Sequence, residues 1–107
     1  PGLTELNGSV FEGFLLGDPK PLVVDFYAPW CAPCRAMAPV MEALAAGHPE
    51  LRVGKVNIDQ EMGLAERFGV ASVPTILFFR GGNVEGRQTG ALSQQALERL
   101  LQEWGKK

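Results

Sequence analysis

A chain of 107 residues, 46% hydrophobic and 21% charged, has the size and composition of one globular domain with its own core, which excludes a disordered or fibrous protein. Ten Lys and Arg against twelve Asp and Glu leave a net charge of -2, and the basic residues cluster only at Lys106-Lys107, so the electrostatic footprint of a nucleic-acid binder is missing. No apolar run approaches the roughly 18 residues of a membrane span, and "PLVVDFYA" is interrupted by Asp25.

With no repeat, low-complexity tract or linker, residues 1–107 read as a single domain. "NGSVFEGFLL" offers Asn7 or Ser9 as N-cap, sets Ser9 and Glu12 at capping-box spacing and puts Phe11, Phe14 and Leu15 on one face, which predicts a first helix. "KPLVVDFYA" is β-branched and aromatic with apolar residues on both alternating faces, the pattern of a central strand covered on two sides. From Cys31 the residues Cys34, Met37, Ala38, Met41, Leu44 and Ala45 recur at helical spacing until "GHP" at 47–49, with Pro39 inside the run as an expected kink. "LRVGKVNID" predicts a second buried strand, with Asp59 as cap of a short helix ending near Gly69. "TILFFRGGNVEGRQT" predicts a hairpin around Gly81-Gly82, and Ser93 caps a last helix with Leu97, Leu100, Leu101 and Trp104 on one face. A βαβ unit followed by a hairpin and a helix is an α/β domain, a mixed sheet with helices on both faces.

The chemistry concentrates in "APWCAPC". A Cys-x-x-Cys can be half of a metal site, a redox dithiol or two buried small residues. Zinc wants four ligands, and beyond the two sulfurs the chain offers only His48 and carboxylates, so no metal is assigned. Inert core cysteines fit poorly at a strand-to-helix junction, where α/β folds place their sites. A dithiol fits better: the unpaired N–H groups and dipole of a helix N-terminus help Cys31 to ionise, Cys34 lies one turn further in on the apolar, more sheltered face, and Pro33 suits a first turn. Asp25 within an apolar strand is costly unless partnered, and the stem of Lys55 is placed so that its amine reaches Asp25. His48 reads as a helix-end dipole partner or surface residue, and Met37, Met41 and Met62 as core filler. The glycines form no G-x-G-x-x-G after a strand, so a nucleotide site has no support.

"VVDFYAPWCAPCR", "KVNID", "FGVASVPTILFFRGG" and "GAL" follow one another at a spacing that resembles the thioredoxin family over nearly the whole chain. A Cys-x-x-Cys beside a βαβ pattern is itself a known redox motif of the thioredoxin-like kind. The resemblance implies a thioredoxin fold, a central mixed sheet of about five strands flanked by four helices. It implies a protein-disulfide reductase in which Cys31 attacks and Cys34 resolves, with Asp25 as the buried acid, Lys55 as its neighbour and Pro74 as a cis-proline. Trp30, Ala32, Pro33, Val73, Pro74, Gly90 and Ala91 match the rim that contacts a substrate chain. The implied partners are a thioredoxin reductase as electron donor and disulfide-containing proteins as substrates, with no organic cofactor, in a monomeric cytoplasmic protein. The start at Pro1, without Met or a leader, implies a trimmed start or a targeting segment already removed. Two features depart from the family: Ala32 stands where glycine is usual, and Arg35 where lysine is common. The rival readings are an oxidase or isomerase, which "FYAPWC" also resembles, and a binding module with incidental redox activity.

Overall fold

A computed structural model describes residues 2–106, in which five strands and four helices follow in the order β1 (Leu3–Glu5), α1 (Gly8–Leu16), β2 (Leu22–Tyr27), α2 (Ala32–Gly47), β3 (Arg52–Asn57), α3 (Met62–Arg67), β4 (Thr75–Arg80), β5 (Asn83–Thr89) and α4 (Gln94–Gly105). The sheet order is β1-β3-β2-β4-β5, with β1, β3 and β2 parallel, β4 antiparallel to β2 and β5 antiparallel to β4. The strand read as central lies in the middle, and Leu22, Val23, Val24 and Phe26 are all buried.

Alternation along the strands divides the core between two helical layers. Leu22, Val24 and Phe26 of β2 pack with Phe11, Leu15, Leu64, Leu77 and Phe79 beneath α1 and α3. Val23 faces the other way, with Met37, Met41 and Leu44 of α2, Ile76 and Phe78 of β4, and Leu97 and Trp104 of α4. Asp25 shares the parity of Val23 and therefore points to the α2 side of the sheet, where it is buried. The hairpin turns at Gly81 and Gly82, whose φ values of 60° and 82° are those a two-residue primed turn requires and L side chains resist.

Helix ends depart in places from expectation. Asn7, not Ser9, caps α1: its Oδ1 accepts from the amides of Ser9 and Val10, and the Ser9 hydroxyl donates to the same oxygen, so no capping box with Glu12 forms. The other end of α1 is closed from β3, where the Arg52 guanidinium donates to the carbonyls of Phe14, Leu15 and Lys20. Asp59 does not cap α3; Glu61 occupies that position without a side-chain cap bond, because the chain turns once more after Asn57 before the helix begins. Met62 is 74% exposed at the start of α3 and fills no core, whereas Met37 and Met41 are fully buried. His48 ends α2, with its ring nitrogens 2.8 Å from Glu50 and 3.1 Å from Glu98, and the Glu50 bond first among several causes raises its pKa. The strand β1 has no counterpart among the expected elements: three residues at a sheet edge carry too short an alternation to read.

Trp104 stacks on Phe78, with ring centroids 5.8 Å apart, and closes over Gly86. A Cβ at Gly86 would overlap the indole, and stacking leaves the ring no room to retreat. Gly86→Ala is expected to destabilise the fold by about 1–3 kcal/mol, the usual cost of overpacking. Chemical denaturation measures it, and a neutral result would mean that α4 can shift.

Candidate active site

Sheet register gathers the site. Phe26 near the end of β2 pairs with Thr75 at the start of β4, and Thr75 pairs with Thr89 at the end of β5. The loops that follow Tyr27, precede Thr75 and follow Thr89 therefore meet at one end of the sheet. These are the loops that carry Trp30-Cys31, Val73-Pro74 and Gly90-Ala91. The Val73-Pro74 peptide is cis, and Cys31 Sγ lies 3.8 Å from the Val73 carbonyl oxygen. Gly90, at φ 99°, donates its amide to the Pro74 carbonyl at 2.8 Å, which joins the second loop to the third.

Cys31 is the N-cap of α2, in extended conformation, and its sulfur accepts from the Cys34 amide at 3.2 Å. That bond aims a helix-terminal N–H at the atom that becomes a thiolate on reduction, which favours the anion. Ala32 and Pro33 begin the helix, and the donor that Pro33 lacks would have had no intrahelical partner. Cys31 and Cys34 are joined in a disulfide, with Cα atoms 5.2 Å apart. Cys31 is 5% exposed and Cys34 4%, so burial does not separate them as the sequence implied. Their surroundings do: Cys31 sits beneath the Val73 carbonyl, while Cys34 lines a partly open pocket between α2 and the sheet.

That pocket, about 340 Å³, is bounded by Asp25, Tyr27, Cys34, Arg35, Glu42 and Lys55 among others. Asp25 is 4% exposed, and its Oδ1 has no hydrogen-bond partner among the described residues. Burial pushes its carboxyl up from 3.8 to about 7, and the charge of Lys55 offsets only part of this. Lys55 does not close onto Asp25 as the sequence implied. It neighbours Asp25 in register, but its ammonium lies 3.7 Å from Glu5 of β1, and the Tyr27 hydroxyl donates to the same carboxylate at 2.8 Å. Burial and then the Glu5 bond push the Tyr27 phenol above its usual range.

The surface around Cys31, apart from that pocket, is largely apolar. Trp30 is 67% exposed, and its indole N–H donates to Asp59 at 3.3 Å, which steadies the ring beside the disulfide. Ala32, Pro33 and Ala91 are exposed, Val73 is half-buried and Pro74 is buried beneath them. Arg35 turns its guanidinium to the Pro29 carbonyl at 3.0 Å. Asp59, Tyr27 and Glu5 are the contributors that sequence reasoning missed. Asp59 and Tyr27 lie inside quoted motifs, but the partners that give them a part come from distant strands.

A thioredoxin family model matches residues 2–103. Thioredoxin from Alicyclobacillus acidocaldarius subsp. acidocaldarius is 40% identical over 100 residues, spanning 92% of this chain and 91% of that protein. Thioredoxin from Streptomyces clavuligerus is 39% identical over 97 residues, 91% of each chain. Among solved structures, a mutant thioredoxin from Halobacterium salinarum NRC-1 superposes with a TM-score of 0.88 at 30% identity, covering 96% of this chain and 90% of that one. A matched region that runs across the whole sheet and both helical layers leaves the Cys31-Cys34 pair in a familiar setting, and the chain belongs to the thioredoxin family as a thiol-disulfide oxidoreductase that reduces protein disulfides.

Proposed function

We propose that Cys31 is the attacking sulfur, that Cys34 resolves, and that Asp25 manages the proton of Cys34. The Cys31 thiolate attacks one sulfur of a substrate disulfide, forms a mixed disulfide and expels the other substrate sulfur as a thiolate. Cys34 then gives its proton to Asp25 and attacks Cys31 Sγ, which closes the intramolecular disulfide and releases the second substrate thiolate. Two electrons move to the substrate per cycle. An external donor, for which a thioredoxin reductase is the reading, restores the two electrons, and the proton held by Asp25 returns to Cys34. Lys55 sets the field at Asp25. Trp30, Ala32, Pro33, Val73, Pro74, Gly90 and Ala91 receive an extended substrate strand, which the Val73 backbone is placed to pair with. The protein is read as a monomer of one domain, residues 1–107, working in the cytoplasm. No helix among the described residues is long and apolar enough to cross a membrane.

The observation that carries this reading is the position of Cys31: a sulfur capping α2 beside an open apolar rim, with its partner facing a buried acid. It also bears on direction. Ala32 and Pro33 bring no side-chain donor or charge, so the thiolate relies on the helix terminus. Its moderate stabilisation makes the dithiol a willing electron donor. Redox titration in glutathione buffers is expected to place the pair near the value characteristic of thioredoxins in general, about -270 mV, rather than near the -180 mV or so of isomerases. Pro33→His adds a donor beside Cys31, and a charge-assisted bond of that kind is expected to raise the potential by about 30–60 mV. A potential on the isomerase side, or none gained from Pro33→His, would favour the oxidase reading.

A further inference from the structure

Glu5, Lys55 and Asp25 form one row across the sheet: Glu5 of β1 is in register with Lys55 of β3, and Lys55 with Asp25 of β2. Neighbours in register project from the same face of a pleated sheet, so the Lys55 ammonium has a carboxyl to either side. It goes to Glu5. Its Nζ lies 3.7 Å from Glu5 Oε1 and 5.5 Å from the centre of the Tyr27 ring. Glu5 is held in turn by the Tyr27 hydroxyl, 2.8 and 3.0 Å from its two oxygens. On the other side Asp25 Oδ1 is buried and unpartnered. The choice has a physical reason: at half-exposed Glu5 the ammonium keeps much of its water, whereas pairing with Asp25 would desolvate both charges.

We propose that Glu5 is a positioning residue for the reduction: from the edge strand it holds the Lys55 ammonium off Asp25 and keeps the acid that serves Cys34 without an ionic partner. This rests on the reading that Asp25 takes the Cys34 proton. An unpaired buried carboxyl keeps its proton to higher pH and, once ionised, is the stronger base toward a thiol. A carboxyl that gains an ammonium at close range titrates lower and accepts a proton less readily. Glu42 and Arg35 of α2 and Tyr27 of β2 also face the cavity with Cys34, and a substitution at Glu5 leaves their charges as they are.

The test follows the Asp25 carboxyl itself by 13C NMR through a pH titration of the oxidised 107-residue chain. Four forms are compared: unmodified, Glu5→Gln, Lys55→Gln and the double variant. Gln keeps an acceptor for Tyr27 and removes only the charge. Glu5→Gln is expected to lower the Asp25 midpoint by roughly one pH unit, as Lys55 swings across. In the Lys55→Gln background the same change is expected to have little effect. A midpoint that does not fall overturns the proposal. So does an equal fall with and without Lys55, because Glu5 would then act only as a distant charge. The rate of mixed-disulfide resolution against pH is measured in parallel. If the midpoint moves and the rate profile does not follow it, the reading of Asp25 fails, and the part of Glu5 in the reduction fails with it.

Discussion

Cys31→Ser is expected to reduce disulfide reduction to background while leaving the fold intact. Serine is a good N-cap, and its hydroxyl can accept the Cys34 amide bond that the sulfur now accepts at 3.2 Å, so α2 keeps its start. What is lost is the nucleophile. Cys34, lining the cavity behind α2, is not placed to replace it. Cys34→Ser is expected to behave differently: the first attack proceeds, but a hydroxyl cannot resolve the mixed disulfide, and the covalent complex accumulates. Turnover of a disulfide-bonded protein substrate, with intact-mass analysis of the products, distinguishes the two. Accumulation of the complex in Cys31→Ser would reverse the roles of the cysteines. Unimpaired function of a double serine variant in the cell would leave redox chemistry incidental and favour the binding module.

Asp25→Asn should make the protein more stable and the enzyme slower. Folding carries the carboxyl from 3.8 to about 7, so between those values the folded state holds a proton that the unfolded chain has released. Stability therefore falls as pH rises through that window, by about 4 kcal/mol in all once pH exceeds 7. Asparagine does not titrate and removes the fall. The two proteins are expected to be similar in stability below about pH 4, with the variant ahead by up to that amount at about pH 8. Denaturant unfolding at the two pH values reads the difference directly. An equal margin at both would mean that packing, not ionisation, accounts for it. Turnover is expected to drop on the order of tenfold to a hundredfold, at or below the usual range for a lost general base because water can stand in. An unchanged rate across pH would leave Asp25 a structural role alone.

Much of this protein could be read along the chain because its signals are local. The apolar run at Leu22–Tyr27 with residues for both faces demanded a central strand, Gly81-Gly82 demanded a tight turn, and Ser93 with its apolar stripe demanded a helix. The Cys31-Cys34 spacing at a helix start named the chemistry, since the sulfurs and the N–H groups that act on them lie within one turn. Three residues of β1 had too short a pattern to declare a strand, and with β1 went Glu5. Where Lys55 turns was equally out of reach: stem position and parity allow Asp25 or Glu5, and only the desolvation balance between a buried and a half-exposed carboxylate separates them. Trp30 could be marked as a contact residue, but that Asp59 holds its indole depends on a loop 29 residues away. The rim depended most on tertiary structure. Val73 meets Cys31, and Gly90 is tied to Pro74 beside them, because strand register brings the ends of β2, β4 and β5 to one end of the sheet, and backbone pairing between distant strands is a long-range choice that no single segment makes.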